Sequence, residues 1–175
     1  GLLDKVSGSI VGLQIHAGRR AEEMDELKRT FNHHGMDSFM APAVQKAFAK
    51  ADEASTKVLG ATLAFVANPG QPTFRAMAEA VSQLPADGGK VNTWPIVTLL
   101  PFLADPKKFI ALKPTNTELI ASRMAFDLKY DSTPNWETYD ATLRMAAQLL
   151  GRLTPLGAKD MIDVQQFMVV TKDLN

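Results

Sequence analysis

The sequence predicts an all-α protein, an irregular multi-helix orthogonal bundle with at most one short extended segment near residues 109–112. Two observations carry that expectation. Apolar residues recur at intervals of three and four, most plainly at Trp136, Tyr139, Leu143, Ala146, Leu150 and Leu153, which is one stripe of a 3.6-residue period. Residues that start helices (Thr, Asp, Pro) and residues that stop them (Gly, Pro) bracket such stripes along the chain.

Leu2, Leu3, Val6, Ile10 and Leu13 fall at helical spacing, with Gly8 and Gly12 as weak points or places of close helix approach. Residues 20–31 are amphipathic: Met24, Leu27 and Phe31 share a face, and Glu22, Glu23, Asp25, Lys28 and Arg29 point mostly outward. Asn32-His33-His34-Gly35 stops that helix. Pro42 suits a first helical turn, and the alanine-rich stretch from it to Ala67 is expected to break or bend near Gly60. Asn68-Pro69-Gly70-Gln71-Pro72 is a turn, after which Thr73 is the expected N-cap of a helix burying Phe74, Met77, Val81 and Leu84. Thr93 caps a short helix with Pro95 in its first turn, and Pro101 should bend or end it. Asp105-Pro106 makes a turn before the extended 109–112. Thr115 and Glu118 have the spacing of a capping box for a helix with Leu119, Ile120, Ala121 and Met124 inward. Thr133-Pro134 opens the strongest helix, running to about Leu153, Thr154-Pro155-Leu156-Gly157 ends it, and Asp160 caps a last helix bearing Met161, Val164, Phe167 and Met168.

A chain of 175 residues with 46% hydrophobic residues can build one core, so residues 1–175 read as a single helical domain. Pro85-Ala86-Asp87-Gly88-Gly89, within a loop at 85–90, joins two sub-bundles; about 85 residues on either side would make two marginal cores.

Charge is balanced, 19 basic against 19 acidic side chains, and balanced locally too: nine against ten over 1–89, ten against nine over 90–175. Nucleic-acid binding, which draws affinity from neutralised phosphates, gains no support from that balance, and neither does binding to anionic membranes. Zero cysteines remove disulfides, thiolate metal sites and cysteine nucleophiles, and fit a reducing, cytoplasmic setting. The longest apolar stretch, 58–67, suits a buried helix and falls short of a membrane span. The first residues, Gly-Leu-Leu-Asp, lack Met and show no signal-like pattern.

His33 and His34 are adjacent, about 100° apart on a helix, and no partner stands at the i+4 spacing of a helical zinc site. They and the lone His16 read as helix-terminal or solvated. Asp160 and Asp163 are three apart and could share a cation or divide acid–base work, but capping of the last helix accounts for both. With Gln165, and Trp94 or Tyr130 as lining, they form the expected site if the protein is an enzyme. No phosphate-binding glycine loop and no serine elbow is written in the chain. Trp94, Trp136 and Tyr139 sit at core spacing.

From Asn92 to Val170 the sequence resembles a family of uncharacterised bacterial proteins. The residues that carry the likeness are Thr93-Trp94-Pro95, Pro101-Phe102-Leu103-Ala104-Asp105-Pro106, Leu112-Lys113-Pro114, Phe126-Asp127-Leu128 with Tyr130, Pro134-Asn135-Trp136, Thr138-Tyr139 and Pro155-Leu156-Gly157. Asp160, Ile162-Asp163-Val164-Gln165 and Phe167 close the pattern; Met168-Val169 departs from it where a tryptophan is expected. The resemblance implies relatives and no activity. A fainter one is to helix–hairpin–helix DNA glycosylases, on residues 153–157 and 109–123. Against that pattern the chain has one glycine where the hairpin wants two, and no acid over 110–115 where the catalytic carboxylate would stand.

The reading is therefore a non-catalytic interaction or structural module. It assigns no catalytic residue, metal or cofactor, and expects a protein partner or a homo-oligomer. Lys113, Arg123, Asn135, Trp136, Asp160 and Asp163 are the candidate ligand or partner contacts. The alternative is a nucleic-acid-binding or processing domain in which Lys107, Lys108, Lys113 and Arg123 meet phosphate.

Overall fold

In the computed structural model the described residues are Asp25, Arg29, 53–85 and 90–172. They form six α-helices and one 3-10 turn, with no strand among them. In chain order these are α1 (Glu53–Ala67), α2 (Gln71–Ser82), α3 (Trp94–Ala104), α4 (Pro114–Arg123), α5 (Trp136–Leu153), the turn Thr154–Leu156, and α6 (Met161–Thr171). The fold is all-α. The helix expected over 2–13, most of 20–31, the start at Pro42, the three histidines and Ala86-Asp87-Gly88-Gly89 lie outside the described residues; Asp25 and Arg29 are helical and exposed.

Side-chain capping holds the starts of α5 and α6 but not those of α2, α3 and α4; Thr93 stands at the expected N-cap of α3 and makes no side-chain cap bond. Asn135, one residue beyond Thr133-Pro134, is the N-cap of α5: its side-chain oxygen accepts from the Thr138 N–H at 2.9 Å. Asp160 caps α6, accepting from Ile162 and Asp163 N–H. The cap of α2 is Gly70; Thr73 falls inside the first turn, and its hydroxyl donates to the Asn68 and Gly70 carbonyls. The Thr115–Glu118 box does not form, because Lys113 and Pro114 start α4 earlier and leave Thr115 exposed inside the helix.

Neither Gly60 nor Pro101 ends its helix. α1 runs through Gly60, whose exposed position leaves Val58, Leu59, Thr62 and Phe65 to hold the helix by burial. α3 runs three residues past Pro101, since Leu99, Leu100, Phe102 and Leu103 are all buried around it. Packing a nearly all-apolar helix into the core offsets the lost hydrogen bond at proline.

The core centres on aromatic rings. Phe65, Phe74, Trp94 and Tyr139 are almost fully buried and lie with Phe109 and Trp136 at ring separations of 5.2–6.5 Å, in tilted or edge-on arrangements. Such geometries suit the ring quadrupoles. On α5 the buried face is Thr138, Tyr139, Ala141, Thr142, Met145, Ala146, Leu149 and Leu153. Trp136, Leu143 and Leu150 from the expected stripe are half-buried at its margin.

Residues 109–112 are non-helical and buried but pair with no strand, so their backbone polar groups need other partners. Side chains supply them. The Tyr139 hydroxyl donates to the Ile110 carbonyl at 3.0 Å, and the Thr98 hydroxyl accepts from the Leu112 N–H at 2.8 Å while donating to Trp94 O. The Trp94 indole N–H donates to the Asp131 carbonyl at 2.8 Å. Burial pushes the Tyr139 phenol far above its ordinary pKa.

Candidate functional site

The six sequence-predicted contact residues occupy helix ends and the core margin. Lys113 is the half-buried N-cap residue of α4, and Arg123 lies in the last turn of the same helix. Ten residues at 1.5 Å each put them about 15 Å apart, so no single small ligand bridges both. Asn135 caps α5, and its amide donates to Thr133 O at 2.9 Å. Trp136 packs on Phe65 and Phe74. Asp160 caps α6, and the Asp163 carboxylate accepts from the Lys159 N–H at 2.7 Å, a second hold on the same helix start. Trp94 is buried, Tyr130 is half-buried, and burial followed by the charges of Glu118 and Asp131 raises the Tyr130 phenol pKa. Among the described residues no three His, Cys, Asp or Glu side chains gather as a metal site would need. Lys107 and Lys108 are exposed, and Lys108 pairs with Asp105 at 3.5 Å.

What the structure does bring together is the last turns of three helices. Ile120, Arg123 and Met124 from the end of α4, Leu149, Arg152 and Leu153 from the end of α5, and Phe167 and Thr171 from α6 line a cavity of about 280 Å³. Its walls are apolar except for the two arginines and Thr171. An Arg123 N–H donates to the Thr171 carbonyl at 2.6 Å, which ties α4 to α6 and satisfies an acceptor at the α6 terminus. Beside it lies a more open recess of about 330 Å³ lined by Leu153, Leu156, Gly157, Ala158, Asp163 and Phe167. Leu153 and Phe167 belong to both.

The open recess is built on a C-terminal cap. Ala158 N–H donates to Leu153 O and Gly157 N–H to Thr154 O, with Gly157 left-handed at φ 102°, the six-to-one and five-to-two pattern that closes a helix end. That turn throws Leu156 into solvent, where it is 82% exposed; Val170, one helical turn beyond Phe167, is 69% exposed. They are the large hydrophobic residues exposed among the described residues.

Sequence reasoning found Arg123 and missed Arg152, Met124 and Leu149 as a group. Their available signal was a basic residue in the last turn of both α4 and α5, a pattern that usually means no more than a favourable helix dipole. Gln165, singled out with the two aspartates, is 0% exposed; neither its amide oxygen nor its nitrogen meets a hydrogen-bond partner, and the same holds for the Thr117 hydroxyl, among the described residues.

Fold and geometry thus define a helical protein with an apolar, cation-rimmed end. Residues 1–51 match the family model of a domain of unknown function (DUF1932). A likeness to uncharacterised proteins is therefore found, on the N-terminal stretch and not on residues 92–170, where the sequence resemblance lay. Neither the curated proteins nor the solved structures offer a match, so the glycosylase likeness finds no support there. Among the described residues no helix is long and apolar enough to cross a membrane.

Proposed function

We propose that this chain is a non-catalytic interaction module that docks a protein surface through the end of the bundle formed by α5, the 153–158 cap and α6. The observation that carries the reading is Leu156, exposed to solvent on the rim of a recess that it lines together with Leu153, Phe167 and Asp163. Exposed aliphatics next to a concave apolar surface mark association sites more often than isolated exposed residues do. The partner is a second copy of the chain. Projection and recess share one face, as a two-fold interface requires when the same patch serves both sides. The cysteine-free composition supports a cytoplasmic setting, and the sequence resemblance supports a bacterial one.

Sedimentation equilibrium tests it. The wild type should form a reversible dimer that Leu156→Asp and Val170→Asp each dissolve with the circular dichroism of the fold unchanged. A chain that stays monomeric at millimolar concentration, or a dimer indifferent to both substitutions, overturns the proposal.

A further inference from the structure

The cavity at the three helix ends is separate from the exposed Leu156 and Val170, neither of which lines it. Its composition is that of a binding site for one kind of molecule. The lining is Ile120, Met124, Leu149, Leu153 and Phe167, with polar character concentrated at Arg123, Arg152 and Thr171. About 280 Å³ lies at the lower edge of the size that small-molecule sites show, and such sites are apolar with a few placed polar groups.

Electrostatics chooses the polar group of the occupant. Three helix C-termini meet here, and each contributes roughly half a negative charge. Among the described residues of the lining, two guanidinium charges exceed that total. Arginine presents planar paired donors that match a carboxylate. The Arg123 guanidinium is fixed in place by its bond to the Thr171 carbonyl. No ion pair within the described residues engages Arg152. On the far side of Leu153 and Phe167, Asp163 lines the neighbouring recess, so a bound carboxylate is repelled from that side and held at the arginine side. The tail then lies along Leu153 and Phe167.

We infer that this cavity binds a small amphipathic carboxylate, an alkyl or aryl acid whose head meets Arg152 and Arg123 and whose apolar body fills the space between α4, α5 and α6. The inference does not depend on dimerisation, and either can fail without the other. Both arginines also neutralise helix ends, so the test must separate that role from binding.

Isothermal titration with sodium decanoate and with decanol makes the separation. Decanoate should bind one to one, with a Kd on the order of 100 µM, and perturb the methyl resonances of Ile120, Met124, Leu149 and Leu153 while leaving Leu59 and Met77 unshifted. Arg152→Gln should weaken decanoate about tenfold, as loss of a charge-assisted hydrogen bond does, and leave the weaker binding of decanol unchanged. The exposed position of Arg152 keeps that variant folded, which its circular dichroism checks. Equal affinity for acid and alcohol, an Arg152→Gln variant that binds decanoate like the wild type, absent binding, or shifts confined to Leu59 and Met77 would each overturn the assignment.

Discussion

The aromatic centre and the converging ends of α4, α5 and α6 are both lined by large apolar side chains, yet they are finished differently. At the centre, polar groups of the extended 109–112 segment are met by designated partners: Ile110 O by Tyr139, Leu112 N–H by Thr98. Around α4 and α6, Thr117 and Gln165 are buried without hydrogen bonds among the described residues, two cavities adjoin, and Leu156 and Val170 face water. Packed rings with designated hydrogen bonds make a scaffold. Space and unmet polarity make a surface that something else can complete. The difference assigns stability to the first region and leaves the second as the site of the binding proposed above.

Substitutions can break or sharpen that division. The largest effect should come from Phe65→Ala, which removes a ring in contact with four others; a loss of about 3–5 kcal/mol by urea unfolding is expected. A loss below one kcal/mol would mean the centre is not the scaffold.

Tyr139→Phe should cost about 1–2 kcal/mol, because it strands the buried Ile110 carbonyl while keeping the ring. The same variant reads the pH dependence. The folded phenol has a raised pKa, so it stays neutral while the unfolded phenol ionises above about pH 10; wild-type stability is fully present below that pH and falls as pH rises beyond it. Tyr139→Phe should flatten that alkaline limb more than Tyr130→Phe does. Equal flattening by the two variants would contradict the full burial of Tyr139.

In the second region the sign reverses. Gln165→Met replaces an unpartnered buried amide with an apolar side chain of similar length and should raise stability by about 1 kcal/mol. Destabilisation instead would show that the amide is engaged.

The smallest effect concerns the end of α4. Ala125 holds φ 50° at the left-handed position of a cap in which Phe126 N–H donates to Ala121 O and Ala125 N–H to Ser122 O. Ala125→Gly should stabilise by about 0.5–1 kcal/mol through relief at that position, seen as a raised melting temperature. An unchanged or lowered melting temperature would mean that Ala125 is unstrained there.

The two caps show how far the sequence could be read. The end of α5 was legible because glycine occupies its left-handed position at 157; the end of α4 has the same hydrogen-bond pattern with alanine there, and no residue type announced it. Asp160 was legible for a similar reason: a short acceptor side chain directly before an apolar run satisfies free N–H groups wherever the helix ends up. Gly60 and Pro101 did not end their helices, because burial of their neighbours outweighs the local propensity for a break. The candidate site was legible only in part. Arg123 stood out as a cation, but nothing in one dimension connects it with Arg152, 29 residues on, or with Phe167.

By itself the sequence determined the helical class, the caps at Asp160 and Gly157, the helix starting near Pro134 and the exclusion of all cysteine chemistry. These depend on side-chain spacing and on backbone preferences of single residues, which act over one or two turns. Tertiary structure alone decided that 109–112 would be held by hydroxyls instead of a strand partner, that α3 would pass through its proline, and that three helix ends would enclose an arginine-rimmed cavity. Those outcomes depend on which distant residues are brought within a few ångströms, and that proximity is set by packing of the whole core.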